Sequence, residues 1–139
     1  MKSQLAILVL TAVVFSGCYK DKGMPDYRPI LERHTWQLAV KGVGGASFMQ
    51  PCDLSLQLTY SKDGTGKYYN PTPCDTNTPT TSTFSWNISA DDYHLYERPG
   101  SSGTQIVWNL SRCTDDTLML TGVMPAGVNE LLIYTPKKK

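Results

Sequence analysis

The chain has 139 residues, with 13 basic against 12 acidic side chains and a formal charge of +1, a length that fits one small domain. With 40% hydrophobic and 18% charged residues, it is neither a disordered polyelectrolyte nor a bundle of membrane helices. The near-neutral balance argues against nucleic acid as a partner, because phosphate binding needs a basic surface.

The first segment reads as an export signal. Lys2 supplies the positive start, Leu5 to Phe15 forms an apolar run, and Ser16-Gly17-Cys18 closes it. The run falls well short of the ~20 residues needed to span a bilayer, so it is a cleavable signal rather than a membrane helix. Phe15-Ser16-Gly17-Cys18 resembles a bacterial lipobox, in which small residues fit the peptidase and the cysteine thiol accepts diacylglycerol, with palmitate completing the anchor. The expected organisation is a signal peptide over 1–17, a lipidated Cys18 and polar tether over 18–30, and a folded domain over 31–139. Each buried CH2 of the anchor adds about 0.8 kcal/mol of membrane affinity. Tyr19, not Asp, follows Cys18, which is compatible with an outer-membrane lipoprotein of the cell envelope, facing either the periplasm or the outside.

Beyond the tether, turn residues recur every 8–12 positions, the pattern of an all-β barrel or sandwich. Pro29 to Arg33 can form one helical turn. Trp36, Leu38 and Val40 alternate with Gln37, Ala39 and Lys41, predicting a first strand with Val40 inward and Lys41 outward. Gly42, Gly44 and Gly45 break it, and Phe48-Met49 falls in a loop. A second strand is expected over Leu54–Tyr60, with Leu54, Leu56, Leu58 and Tyr60 on one face. Asp63-Gly64 marks a hairpin turn into a third strand over Thr65–Tyr69, since Asp-Gly supplies the positive φ of tight turns.

Asn70–Thr83 is polar and carries Pro71, Pro73 and Pro79, which predicts a long exposed loop. Phe84, Trp86 and Ile88 share one face of a fourth strand. Ser89 to Asp92 turns into a fifth strand over Tyr93–Glu97, with Tyr93 and Leu95 inward and His94 outward. Ile106, Trp108 and Leu110 mark a sixth strand, Leu118 and Leu120 a seventh, and Leu131–Thr135 an eighth. Thr114-Asp115-Asp116 and Pro125-Ala126-Gly127 supply the turns between them. Eight short antiparallel strands joined in order predict an up-and-down β-barrel, whose closure removes exposed sheet edges.

Catalytic and metal-binding patterns are missing from the sequence. His34 and His94 have no cysteine or carboxylate at ligand spacing. There is no G-x-S-x-G elbow and no phosphate-binding loop. The adjacent pairs Asp91-Asp92 and Asp115-Asp116 sit on turns and point apart, unlike an acid/base pair across a substrate. No catalytic residue, metal or cofactor is therefore assigned, and a non-enzymatic binding role is expected. The aromatic residues Trp36, Tyr60, Phe84, Trp86, Tyr93 and Trp108 fall on the expected inner face. They are the candidate ligand-binding set, forming either core filling or a cup for a small apolar or aromatic ligand. Three tryptophans in a barrel of this size leave little room for a long lipid.

Lipidation of Cys18 would leave Cys52, Cys74 and Cys113, an odd number, in a compartment where disulfides persist. Three pairings are possible. Cys52 and Cys74 flank the Asp63-Gly64 hairpin, whose outer ends return to the same end of the sheet, so a Cys52–Cys74 bridge is the favoured expectation, with Cys113 left as a thiol.

Several short motifs together resemble the lipocalin-like (calycin-like) lipoproteins of Bacteroidetes. They are the lipobox, His34-Thr35-Trp36-Gln37-Leu38, Pro51-Cys52-Asp53 leading into Leu54–Leu58, the Asp63-Gly64 hairpin, Cys74, Phe84-Ser85-Trp86, Ile106–Leu110 and Leu118-Met119-Leu120. The resemblance covers roughly 31–135 and implies an eight-stranded barrel that binds something non-covalently. Two readings follow: a membrane-anchored carrier or sensor for a small hydrophobic ligand, or an interaction or inhibitor module with a plugged barrel, whose loops hold an envelope protein partner.

Overall fold

Alternation of large apolar and small polar residues produces the strands, and the turn chemistry between them fixes their order. The structure is a computed structural model that describes residues 26–138 apart from Asn77 and Pro125. The signal segment 1–17, Cys18, the tether up to Pro25, Pro125 of the last turn and Lys139 lie outside the described residues. A one-and-a-half-turn helix α1 (Arg28–Arg33) precedes nine strands: β1 (Thr35–Val43), β2 (Ala46–Ser47), β3 (Gln57–Tyr60), β4 (Thr65–Asn70), β5 (Thr80–Ile88), β6 (His94–Pro99), β7 (Ile106–Cys113), β8 (Leu118–Val123) and β9 (Asn129–Pro136). Each strand from β3 onward pairs antiparallel with the next, and β1 pairs with both β3 and β9. The sheet thus closes into an eight-stranded antiparallel barrel, as expected from the sequence. No described helix is long and apolar enough to cross a membrane.

β2 is an addition to the expected eight strands. Gly44 and Gly45, at φ of +60° and +85°, turn β1 back on itself so that Val43 pairs with Ala46. At the Asp63-Gly64 turn, Gly64 takes a φ of +80°. The Asp63 carboxylate there accepts from the backbone N–H and hydroxyl of Thr65, which holds it below the usual carboxylate range.

Two expected boundaries move. Asp53–Ser55 forms a 3-10 turn rather than the start of a strand, leaving Leu54 exposed and β3 beginning only at Gln57. Cys52 is bonded to Cys74, with Cα atoms 5.2 Å apart, so this segment is tied to the loop after β4 and cannot run straight into the strand. The expected loop over Asn70–Thr83 is also shorter, because Thr80–Thr83 extend β5 and pair with β4. Threonine favours the pleated, half-buried surface, and this propensity outweighs the polarity that suggested a loop.

Bulges reset which side chains face inward. In β1 the register slips between Leu38 and Val40, leaving Ala39 as the extra residue. Lys41 then pairs with buried Leu132, and Val40 pairs with Ile133, reversing the expected directions of Val40 and Lys41. In β7 the slip between Leu110 and Arg112 keeps Arg112 outside and turns Cys113 in, where it is a buried free thiol. Burial and the charge of Asp115 push that thiol up to about 12, so it is inert rather than reactive.

The core runs from α1 upward. Leu31 of α1 is fully buried against the barrel end that holds Trp36, Ile88, Leu110, Cys113 and Leu118. The Trp36 indole N–H donates to the Leu31 carbonyl at 3.1 Å, and Arg28 lies over the Trp86 ring at 4.7 Å while bonding Asn87. The helix is therefore a lid on this end of the barrel. Trp36→Ala should lower unfolding stability by about 3–5 kcal/mol, read from urea denaturation. A change below about 1 kcal/mol would show that α1 does not depend on it.

Candidate functional site

Of the six aromatics that the sequence places inside, five are buried and one is not. Tyr60 meets Phe84 and Trp86 edge-on, with ring centroids 5.8 and 5.1 Å away. The Trp86 indole N–H is shared between the carbonyls of Ser61 and Thr65 at 3.0 Å. These three rings and Trp36 fill the closed half of the barrel. Tyr93 departs from expectation: it precedes β6, after Asp92 at a φ of +57°, and is 53% exposed. The Asp92 turn breaks the alternation that would have carried Tyr93 inward.

Above the packed rings, a hollow of about 900 Å³ opens at the barrel end opposite α1, and its lining also takes in the outward residues His94, Val107 and Asn109 of β6 and β7. Leu38, Tyr68, Ile106, Trp108, Leu132 and Tyr134 form its wall, and Lys41, Asp53 and Glu130 add charge to it. This is more space than three inward tryptophans suggested. The reason is their distribution: Trp36 and Trp86 point into the closed half and only Trp108 reaches the cavity. Gly122 makes room for Trp108, since a Cβ there would meet its ring at 2.8 Å. Outside the barrel, a second hollow of about 580 Å³ lies between the β1–β2 hairpin and the outward side chains Val40, Thr121 and Leu131.

Glu97 stands between the packed half and the cavity, 1% exposed. Its Oε1 accepts from the Tyr60 hydroxyl at 2.7 Å, and its Oε2 accepts from the Tyr68 hydroxyl at 2.7 Å and the Trp108 indole N–H at 3.0 Å. No described cation pairs with it. Burial raises the Glu97 pKa, while the donated hydrogen bonds from Tyr68, Tyr60 and Trp108 pull it back down. Burial and the Glu97 charge in turn hold the Tyr60 and Tyr68 hydroxyls protonated well above their ordinary range. Tyr68 and Trp108 therefore face the cavity with their protons already committed to Glu97.

Glu97 was readable from the sequence by parity, because it stands two residues after the inward Leu95. The same rule finds Glu130, two before Leu132 and four before Tyr134. Lys41 could not be found that way, since the Ala39 bulge inverts its parity. Nor were the partners of the histidines visible: His34 Nε2 lies 3.1 Å from Asp115, which also bonds Arg33 at 2.8 Å, and His94 lies 3.7 Å from Asp91. These are surface pairs at the ends of strands, of small energetic weight. No group of three metal-ligating side chains occurs among the described residues.

The raised pKa of Glu97 has a sign that can be checked. The folded state holds its proton more tightly than the unfolded chain, whose Glu titrates near ~4.3. The stability contributed by protonated Glu97 is thus complete below that pH and is lost as pH rises through the folded value. Asp63, Asp91 and Asp115 have lowered pKa values and act in the opposite direction, so the comparison must be with a variant. Glu97→Gln should gain on the native protein as pH rises from about 4 to 8, by denaturant titration at each pH. A difference constant across that range would rule out titration of Glu97.

The lipocalin-like domain family matches residues 33–120, from just before β1 to the middle of β8. No curated protein matches the chain. The matched span covers β1–β7 and the start of β8, and the closed eight-stranded barrel around a cavity at one end agrees with it. The chain belongs to the lipocalin-like domain family.

Proposed function

We propose that this protein is a membrane-anchored, lipocalin-like binding protein that holds a small apolar or aromatic ligand in the open end of its barrel, within the bacterial cell envelope. The observation that carries this reading is the cavity of about 900 Å³ walled by Leu38, Ile106, Trp108, Leu132, Tyr68 and Tyr134. Concave, mostly apolar sites with a few fixed polar groups suit small-molecule binding. Lipocalin-like domains are generally binding modules, which fits a non-enzymatic role. Trp108 is the aromatic of the candidate set that faces the ligand. Trp36, Tyr60, Phe84 and Trp86 support the cavity from below.

The lipid anchor at Cys18 is part of the same proposal and rests on the lipobox-like Phe15-Ser16-Gly17-Cys18. The described chain starts at Asp26, next to α1 and the closed end. A fully extended stretch over 18–25 spans at most ~28 Å. Such a short tether favours a barrel whose open end points away from the anchoring outer membrane. A second reading, an envelope protein partner seated at the open end, draws support from exposed Phe48, Leu54, Val123, Met124 and Val128 around it.

Two experiments test the proposal. Heating the purified chain with and without a lipid extract of bacterial envelopes should raise the melting temperature by several degrees, since a ligand that binds only the folded state stabilises it. No shift at any extract concentration favours the protein-partner reading. Separately, Cys18→Ser should move the protein from the membrane fraction to the soluble fraction. Continued sedimentation with membranes after a high-salt wash overturns the anchor.

A further inference from the structure

The cavity contains a charged group without a partner among the described residues. Glu130 begins the inward face of β9 at the open end, where it pairs across the sheet with Val43 and Gly122. It is only 9% exposed and lines the cavity. None of the hydrogen bonds or ion pairs among the described residues engages its carboxylate, and Lys41, although inward on the neighbouring strand, forms no ion pair with it. Its charge acts on the hydroxyls of Tyr68 and Tyr134 deeper in the cavity, opposing their ionisation. Neither of its oxygens is both buried and unpartnered, so the carboxylate meets water at the cavity mouth, where an entering cation or donor can reach it.

The other groups facing this space point to the sign of that partner. Asp53 lies on the wall with Lys41, so two carboxylates face one ammonium. Tyr68 and Trp108 have spent their protons on Glu97 and offer no donor to an anion. The Tyr68 oxygen keeps lone pairs that can accept. The aromatic faces of Tyr68 and Trp108 also attract cations at close range. Lys41 is the one lysine or arginine among the described lining residues, so an anionic head group would meet it beside two carboxylates that repel it.

Resting on the binding reading above, we propose that the cavity selects amphiphiles with a positively charged amine head, held by Glu130 at the open end with the apolar chain running inward along Leu38, Trp108 and Leu132. Glu130 contributes the ion pair and the apolar wall contributes the remainder of the affinity. Lys41 sits at the side of the head group and weakens the attraction without reversing it.

Calorimetric titration of the purified full chain with decylamine, decanol and decanoate at low salt tests this. Decylamine should bind at least tenfold more tightly than decanoate, with decanol between them. Glu130→Gln should reduce decylamine affinity about tenfold and leave decanol unchanged, which also shows that the variant is folded. Lys41→Met should strengthen decylamine binding and weaken that of decanoate. If decanol binds but decylamine gains nothing over it, or Glu130→Gln has no effect, the amine preference is wrong while the binding reading stands. Tighter binding of decanoate, lost in Lys41→Met, likewise overturns the amine preference. If none of the three binds, the small-ligand reading itself fails.

Discussion

The carboxylate of Glu97 is the point where the barrel is tied across its interior. Its three donors come from Tyr60 on β3, Tyr68 on β4 and Trp108 on β7, and Glu97 itself is on β6. Backbone pairing joins each strand only to its neighbours, whereas this group joins strands that are not adjacent. Three neutral donors compensate the desolvation of one acid without importing a second charge. Removing any one donor would leave a buried acceptor short of a partner, a defect worth ~1–3 kcal/mol. A polar group that is fully satisfied in this way also specifies side-chain positions more sharply than apolar packing does.

This tie divides the barrel into two halves with different chemistry. On the α1 side, Leu31, Trp36, Tyr60, Trp86 and Ile88 pack without a described unsatisfied polar atom. On the other side the wall turns to longer, polar-tipped side chains, and space remains. The Cys52–Cys74 bridge belongs to that open half: it fastens the 3-10 turn carrying Asp53 to the loop following β4. In the chain-entropy description, closing a loop of this size is worth about 3 kcal/mol. The bridge therefore orders the loops where packing is thinnest, and the aromatic cluster orders the end where the described residues form no bridge.

Much of the barrel could be read from local signals. Asp63-Gly64, the Phe84/Trp86/Ile88 alternation and the pair Leu118 and Leu120 each specify their element through turn chemistry or period alone, and the disulfide followed from the hairpin that its cysteines flank. The misreadings share another origin. Leu54 looks like a strand residue by period, but a covalent link 22 residues along the chain holds its segment in a 3-10 turn. Tyr93 was misplaced because a single αL residue, Asp92, ends the turn one position later than the period implied. The cavity was underestimated because alternation reports the face of a residue and not its height along the barrel axis. The same alternation places Glu97 inward, against the general rarity of buried acids.

The bulge at Ala39 has a consequence for how such a barrel can change. Side chains along a strand alternate in a frame of two, and the bulge absorbs one extra residue so that the strand beyond it keeps its partners. Were Ala39 drawn into the regular ladder, Val40 and Gly42 would turn to the interior and Lys41 and Val43 to solvent, whereas deleting Ala39 would leave all four facing as they do. Glu130, carried by the opposing strand, would keep its direction. The net charge presented to a bound molecule is therefore controlled by whether this strand keeps its bulge, with no substitution of any residue that touches it.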